Sequence, residues 1–269
     1  MEQKPIRRIG VLTSGGDAPG MNPVIRAVVR TAAAHGISVL GIRRGYSGLI
    51  NGDIIELAAR SVDGISRKGG TMLYTARCKE MLTDEGLQKA ADTCKYMGID
   101  GLVCIGGDGT FRGALALSRL GVPCIGVPGT IDNDIGCSEY TIGFDTACNT
   151  ALECIDKLRD TMQSHERCSV VEVMGRHAGH LALNVGCACG ATAIMLPERE
   201  IDFETAVIEK MRMGRIKGRN HHIIIVAEGY GSAQEVADRI HDATGIDTRL
   251  TILGHIQRGG SPSSQDRIM

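Results

Sequence analysis

An α/β fold on parallel sheets is what this 269-residue sequence predicts. Short β-branched runs alternate almost throughout with longer stretches of helical apolar spacing, the pattern of βαβ units. Glycine-rich segments directly follow two of the runs, where an open parallel sheet hands its strands over to helices and binds its ligands. Apolar residues make up 43% of the chain, enough for a substantial core. In chain order the expected strands are residues 9–13, 38–42, 101–105, 124–127, 169–173, 193–196, 222–227 and 251–253. Expected helices lie between them at 23–34, 85–97, 111–120, 146–163, 204–213 and 233–242. Trp is absent and aromatics are only 3%, so the core rests on Ile, Leu, Val, Met, Ala and Cys, while 36 glycines leave many turns to the backbone.

Lys and Arg number 30 against 31 Asp and Glu, so no global field favours nucleic acid or an anionic membrane. Any anion site must be local. Ten cysteines carry no CxxC pair, and the N-terminus lacks a long apolar signal segment, which together fit the reducing cytoplasm. Cys187 and Cys189, with His177 and His180 nearby, match no usual zinc spacing and are read as core cysteines, a metal site being the remote alternative. No apolar run approaches the roughly 18–20 residues that span a bilayer. No linker or short repeat divides the chain, so the division follows the motifs. Glycine turns mark a nucleotide half, and arginines and histidines between Arg159 and Arg258 mark an acceptor half.

Thr13-Ser14-Gly15-Gly16-Asp17 ends a strand and leads past Pro19-Gly20 into a helix, where bare glycine backbone can approach a phosphate. Taken alone, a tight βα turn is the favoured reading, because neither GxGxxG nor the Walker pattern is present. Gly106-Gly107-Asp108-Gly109-Thr110 repeats the arrangement with a carboxylate suited to magnesium beside nucleotide phosphates, a structural turn being the weaker alternative. Thr130-Ile131-Asp132-Asn133-Asp134 sets two carboxylates two residues apart, which an extended loop would point the same way. Solvated turn aspartates explain one of them easily and both less well.

Five segments together, SGGDAPGMN at 14–22, GGDGT at 106–110, PGTIDNDI at 128–135, MGRHAGH at 174–180 and LGHIQRGGSP at 253–262, resemble bacterial ATP-dependent 6-phosphofructokinases in the same order over the whole chain. The resemblance implies two similar Rossmann-like three-layer domains with mainly parallel sheets. The larger, nucleotide-binding domain would take 1–142 and 256–269, and the smaller, fructose 6-phosphate-binding domain 143–255. It implies ATP contacts at Gly16, Tyr46, Arg77, Cys78, Gly107, Asp108, Gly109 and Thr110, with Asp108 holding Mg2+ and Tyr46 against the adenine. Asp132 would be the general base for the sugar 1-hydroxyl, Thr130 and Asp134 would align phosphoryl group and metal, and Arg176 would stabilise the transferring phosphoryl. Fructose 6-phosphate would meet Thr130, Asp132, Arg167, Met174, Gly175, Arg176, Glu228, Arg249, His255 and Arg258. Arg167 and Arg249 would reach a neighbouring subunit of a homotetramer. Read without the family, each of these arginines is an ordinary surface charge and His255 a hydrogen-bonded core histidine.

Departures from the family pattern sharpen the expectations. Gly109 and Gly129 stand where pyrophosphate-dependent relatives commonly carry Asp and Lys, so ATP is the expected donor. Arg26, Arg30, Arg159, Lys217, Arg219 and His221 match the family's effector site, but Ala59 and Thr192 stand where well-studied members have Arg and Glu. Weakened or altered responses to ADP and phosphoenolpyruvate are therefore expected. Family members continue for several tens of residues beyond the position of Met269, so a fragment with apolar surface exposed on the nucleotide half is expected. The alternatives are a pyrophosphate-dependent enzyme, a catalytically silent regulatory subunit and, remotely, a dinucleotide oxidoreductase, which the missing GxGxxG disfavours.

Overall fold

The computed structural model describes residues 5–269. The chain forms two compact units. The first comprises the described chain through Thr130, Ile135–Gly143 and Arg258–Met269; the second comprises Ile131–Asp134 and Phe144–Gln257.

In the first unit β1 (Arg8–Ser14), β2 (Ser38–Ile42), β3 (Ile54–Leu57), β4 (Gly101–Gly106) and β5 (Cys124–Pro128) form a sheet of order β3-β2-β1-β4-β5. Pairing is parallel except at β3, which runs antiparallel to β2. The strand order reverses between β1 and β4, which opens a crevice beyond their carboxyl ends. Both glycine clusters leave the sheet there. Helices α1 (Met21–Ala34), α2 (Gly45–Asn51), α3 (Asp84–Tyr96) and α4 (Asp108–Arg119) connect the strands. Thr83 caps α3 by accepting the Gly86 amide at 3.1 Å, the service a Thr N-cap renders to a helix start. Leu12, Leu40, Leu49, Leu102 and Leu117 join one buried cluster with residues of α2, α3 and α4.

In the second unit α5 (Phe144–His165) leads to β6 (Cys168–Val173), α6 (His180–Ala188), β7 (Ala193–Met195), α7 (Lys210–Ile216), β8 (His222–Ala227), α8 (Ala233–Thr244) and β9 (Thr248–Ile252). The sheet is parallel throughout, in the order β7-β8-β6-β9. Every residue of β8 is buried, as a strand covered on both faces requires, which is why it reads as an unbroken apolar run.

Several elements depart from the expected ones. The seven residues of α2 include two glycines and carry no helical signal; burial of Tyr46 and Leu49 in the core stabilises them as a helix. The edge strand β3 and the short α6 were likewise not expected. The helix expected at 204–213 begins as a π-helical stretch, Glu204–Glu209, before α7. The strand expected at 251–253 is β9, set earlier by its pairing of Thr248 with Cys168. Cys187 is exposed and Cys189 half-buried, so neither is the core cysteine expected; Cys94, Cys104 and Cys168 are the buried ones. Among the described residues no helix is long and apolar enough to cross a membrane.

Candidate active site

In the first unit the turn after β1 is shaped by two constraints. Gly15 is left-handed at φ 89°, and a Cβ on Gly16 would fall 2.2 Å from the Arg258 guanidinium. That guanidinium donates to the Asp17 carbonyl at 3.2 Å, so glycine at 16 makes room for a residue 242 positions away in sequence, counted from 16 to 258. The Thr13 hydroxyl donates to the Tyr74 carbonyl at 2.8 Å and the Thr75 hydroxyl to the Gly15 carbonyl at 2.7 Å. These bonds hold the loop carrying exposed Arg77 and half-buried Cys78 against the glycine turn.

Gly107 caps α4 and places the exposed Asp108 in its first turn, where partial positive charge from free amides favours a carboxylate. Asp108 pairs with Arg112 at 2.9 Å. A Cβ on Gly109 would have nothing within 4 Å. An exposed hard oxygen donor beside open backbone fits a magnesium ion carried on phosphates. Among the described residues no three metal-ligating side chains converge, so other oxygens on the ion would come from substrate and water.

Two of the expected nucleotide contacts, Tyr46 and Thr110, have buried side chains. Tyr46 is 3% exposed, its hydroxyl donates to the Thr110 carbonyl at 2.6 Å, and its ring fills the space left at Gly113. Thr110 is also buried and donates to the Ser14 carbonyl at 3.0 Å. Tyr46 thus braces α4 against α2, and Thr110 braces α4 against β1. The aromatic residue exposed beside the turn is Tyr74, held at φ 56° with the Arg44 guanidinium 5.4 Å over its ring, and the sequence offered no sign of it. Gly129 is also packed: its amide donates to the Gly106 carbonyl at 3.0 Å, and a Cβ would meet Ile105 at 3.1 Å and Met21 at 3.4 Å.

In the second unit Asp132 is buried at 3% exposure whereas Asp134 is exposed. Asn133 between them is left-handed at φ 52°, so the loop is not the extended one that would point both carboxylates the same way. The β6 strand delivers Met174, Gly175 at φ 140° and Arg176 at φ 56°. Glu228, at the end of β8, accepts the Gly175 amide at 3.2 Å and the Arg176 amide at 2.5 Å through one oxygen, which fixes this strained turn. Gly229 is required there, because a Cβ would meet the Arg176 carbonyl at 2.3 Å. Burial first, and then the charge of Glu228, raises the pKa of Glu172 on β6. Gln257, fully buried, accepts the Met174 amide at 3.3 Å.

Arg167 and Arg249 meet on Asp247, at 2.6 and 3.1 Å. Desolvation is the largest single influence on that carboxyl and raises its pKa, but the two guanidiniums together outweigh it and hold the carboxyl below its ordinary range. His255 is exposed. Asp247 and Gln257 escaped the sequence reading because nothing but their distant partners distinguishes them. Of the expected effector residues, Arg26 is half-buried on α1 and Arg30 pairs with Asp63 at 3.7 Å. In the second unit Arg159 bonds the Cys189 carbonyl, and burial, Arg159 and Arg219 together lower the pKa of His221. Lys217 is exposed just after α7, and the Thr192 hydroxyl lies 3.2 Å from Nδ1 of His222.

The family model described as Phosphofructokinase matches residues 8–269. This chain belongs to the phosphofructokinase family. It is 57% identical over 264 residues to an ATP-dependent 6-phosphofructokinase of Clostridium botulinum, covering 98% of this chain and 82% of the relative. It is 58% identical over 264 residues to a protein of the same name from Bacillus pumilus. Among solved structures it superposes on phosphofructokinase from Saccharomyces cerevisiae with a TM-score of 0.92 at 38% identity, covering 97% of this chain but 40% of the yeast chain. A pyrophosphate-dependent phosphofructokinase from Marinobacter aquaeolei, at TM-score 0.82 and 23% identity, shares the fold. Within a phosphofructokinase, then, Gly109 borders open space, whereas a Cβ at Gly129 would press on the Ile105 side chain.

Proposed function

We infer that this phosphofructokinase transfers the γ-phosphoryl group of ATP to the 1-hydroxyl of fructose 6-phosphate, giving fructose 1,6-bisphosphate in glycolysis. The observation that carries this reading is a buried aspartate, Asp132, in a family member whose relatives at 57–58% identity are ATP-dependent 6-phosphofructokinases. The first unit is proposed to hold the nucleotide, through the glycine turns at 15–16 and 106–109 and through Arg77 and Cys78. The second is proposed to hold the sugar phosphate, through Met174–Arg176, Glu228, Arg249 and His255, with Arg167 and Arg249 shared across subunits of a homotetramer. Thr130 and Arg258 are proposed to complete the acceptor set.

Phosphoryl transfer needs positioning and charge neutralisation more than covalent chemistry. Asp132 accepts the proton of the 1-hydroxyl as that oxygen bonds to phosphorus, and Arg176 offers its fork to the transferring oxygens. Gly15, Gly16 and Gly107 bring bare amides to the phosphates. Magnesium, held by Asp108 with Asp134 aligning it, would supply neutralisation of phosphate charge. The arginine and histidine set of Arg26, Arg30, Arg159, Lys217, Arg219 and His221 is proposed as an effector site whose response to ADP and phosphoenolpyruvate is altered by Ala59 and Thr192. The enzyme is proposed to work in the cytoplasm.

Asp132→Ser tests the assignment. Steady-state assay with ATP and fructose 6-phosphate is expected to show kcat lower by about 10²- to 10⁴-fold, with KM for ATP largely unchanged. Near-full turnover would sink it. Pyrophosphate replacing ATP in the wild-type assay is expected to support no comparable rate.

A further inference from the structure

The backbone leading to Asp132 is held by a buried strut that no motif marks. Residues 140–143 run beside the exit of β5, with Gly129 and Ile142 forming a parallel bridge. The Ile142 amide donates to the Pro128 carbonyl at 2.8 Å. Thr141, fully buried, donates its hydroxyl to the Thr130 carbonyl at 2.7 Å. That carbonyl lies two residues before Asp132. On its far side the strut is tied to the terminal helix, Ser264–Ile268. Asp266, 1% exposed, accepts the Gly143 amide at 2.8 Å and the Tyr140 hydroxyl at 3.3 Å through one carboxylate oxygen.

Close packing leaves this junction little freedom. Gly143 is at φ 109°, and a Cβ there would meet Ala18 at 2.7 Å. Gly20, at φ 115°, caps α1, and a Cβ on it would meet Ile142 at 2.3 Å and the Asp266 carbonyl at 3.0 Å. Glycine turn, strut and terminal helix therefore interlock. A buried carboxylate is costly to keep unless its hydrogen bonds are needed, and here it accepts from the Gly143 amide and the Tyr140 hydroxyl.

We propose that Thr141 and Asp266 are positioning residues for phosphoryl transfer, acting through the Tyr140–Gly143 segment to fix the Thr130 backbone from which Asp132 departs. This rests on the reading of Asp132 as the base. Misplacing a reacting group by about 1 Å can cost about 10²-fold in rate, so a strut of this kind carries kinetic weight without touching substrate.

The test is a set of variants of the full chain, each checked for folding by thermal unfolding. Thr141→Val removes the hydroxyl at constant shape, Thr141→Ser keeps it, and Asp266→Asn keeps the shape but not the charge. Thr141→Val and Asp266→Asn are expected to lower kcat by about 10-fold or more with KM for ATP within about twofold, and Thr141→Ser to restore most of kcat. Adding Thr141→Val to Asp132→Ser is expected to change the residual rate by less than about twofold, because a residue acting through Asp132 has nothing left to position. If the two losses multiply, or if Thr141→Val lowers the melting temperature while kcat per folded enzyme stays within about twofold, the proposal is overturned. Should Asp132→Ser itself turn over normally, it is the base assignment that fails. Thr141→Val with a low kcat would then still mark a strut, serving some other group.

Discussion

His222 sits on β8 at 1% exposure, with Nδ1 on the Thr192 hydroxyl and no partner for Nε2 among the described residues. Burial, then Arg219 and His221, push its pKa down to about 4. An unfolded chain would protonate this histidine near its ordinary value of about 6.5. Between those values the unfolded state binds more protons, so the contribution to stability is present above about pH 6.5 and is lost as pH falls toward 4. The difference corresponds to roughly 3 kcal/mol at most. Urea unfolding between pH 7 and 4 is expected to show this decline, and His222→Gln to flatten it; an unchanged slope in the variant would count against the assignment. Thr192 contacts this imidazole, which ties the departure from the family's effector pattern to a buried histidine rather than to an open carboxylate.

At the scale of elements, the contact between α2 and α4 decides what Tyr46 does. A ring that stacked on a base would keep that role as phenylalanine, whereas a brace needs the hydroxyl on the Thr110 carbonyl. Tyr46→Phe is therefore expected to lower stability by about 0.5–1.5 kcal/mol, the net contribution of one buried hydrogen bond. The KM for ATP should change by less than about threefold; a larger rise with unchanged stability would return Tyr46 to the nucleotide. Elements with a strong periodic or apolar signature, such as β8 and α8, were legible from the sequence because burial alone dictates them. The α2 helix was not, since two glycines erase its signal and only tertiary contacts restore it. The site divides the same way. Asp108, Asp132 and Arg176 stand in compact motifs, but Gly143 meets Asp266 across 123 residues and Met174 meets Gln257 across 83, partnerships that no local pattern encodes. The left-handed turns at Asn133 and Arg176 were hidden for another reason: neither residue type demands that conformation.

For the whole molecule, β5 closes its sheet among the described residues and leaves Ile125 66% exposed. Unpaired strand edges with apolar side chains invite pairing between chains. Light scattering at rising concentration is expected to show association beyond any defined oligomer, and Ile125→Lys to suppress it; equal scattering from both proteins would remove the edge as the cause.

The first unit is assembled from three separate stretches of chain, and the last of them begins at Arg258. On the ribosome, the second unit's long stretch from Phe144 to Gln257 is synthesised before the segment bearing Asp266. The strut beside Thr130 must wait, unsecured, while well over a hundred residues are synthesised, which at about 5–20 residues per second is a delay of many seconds. A nascent chain halted just short of Asp266 would carry all five motif segments, through residue 262, and still lack the Asp266 anchor of its strut.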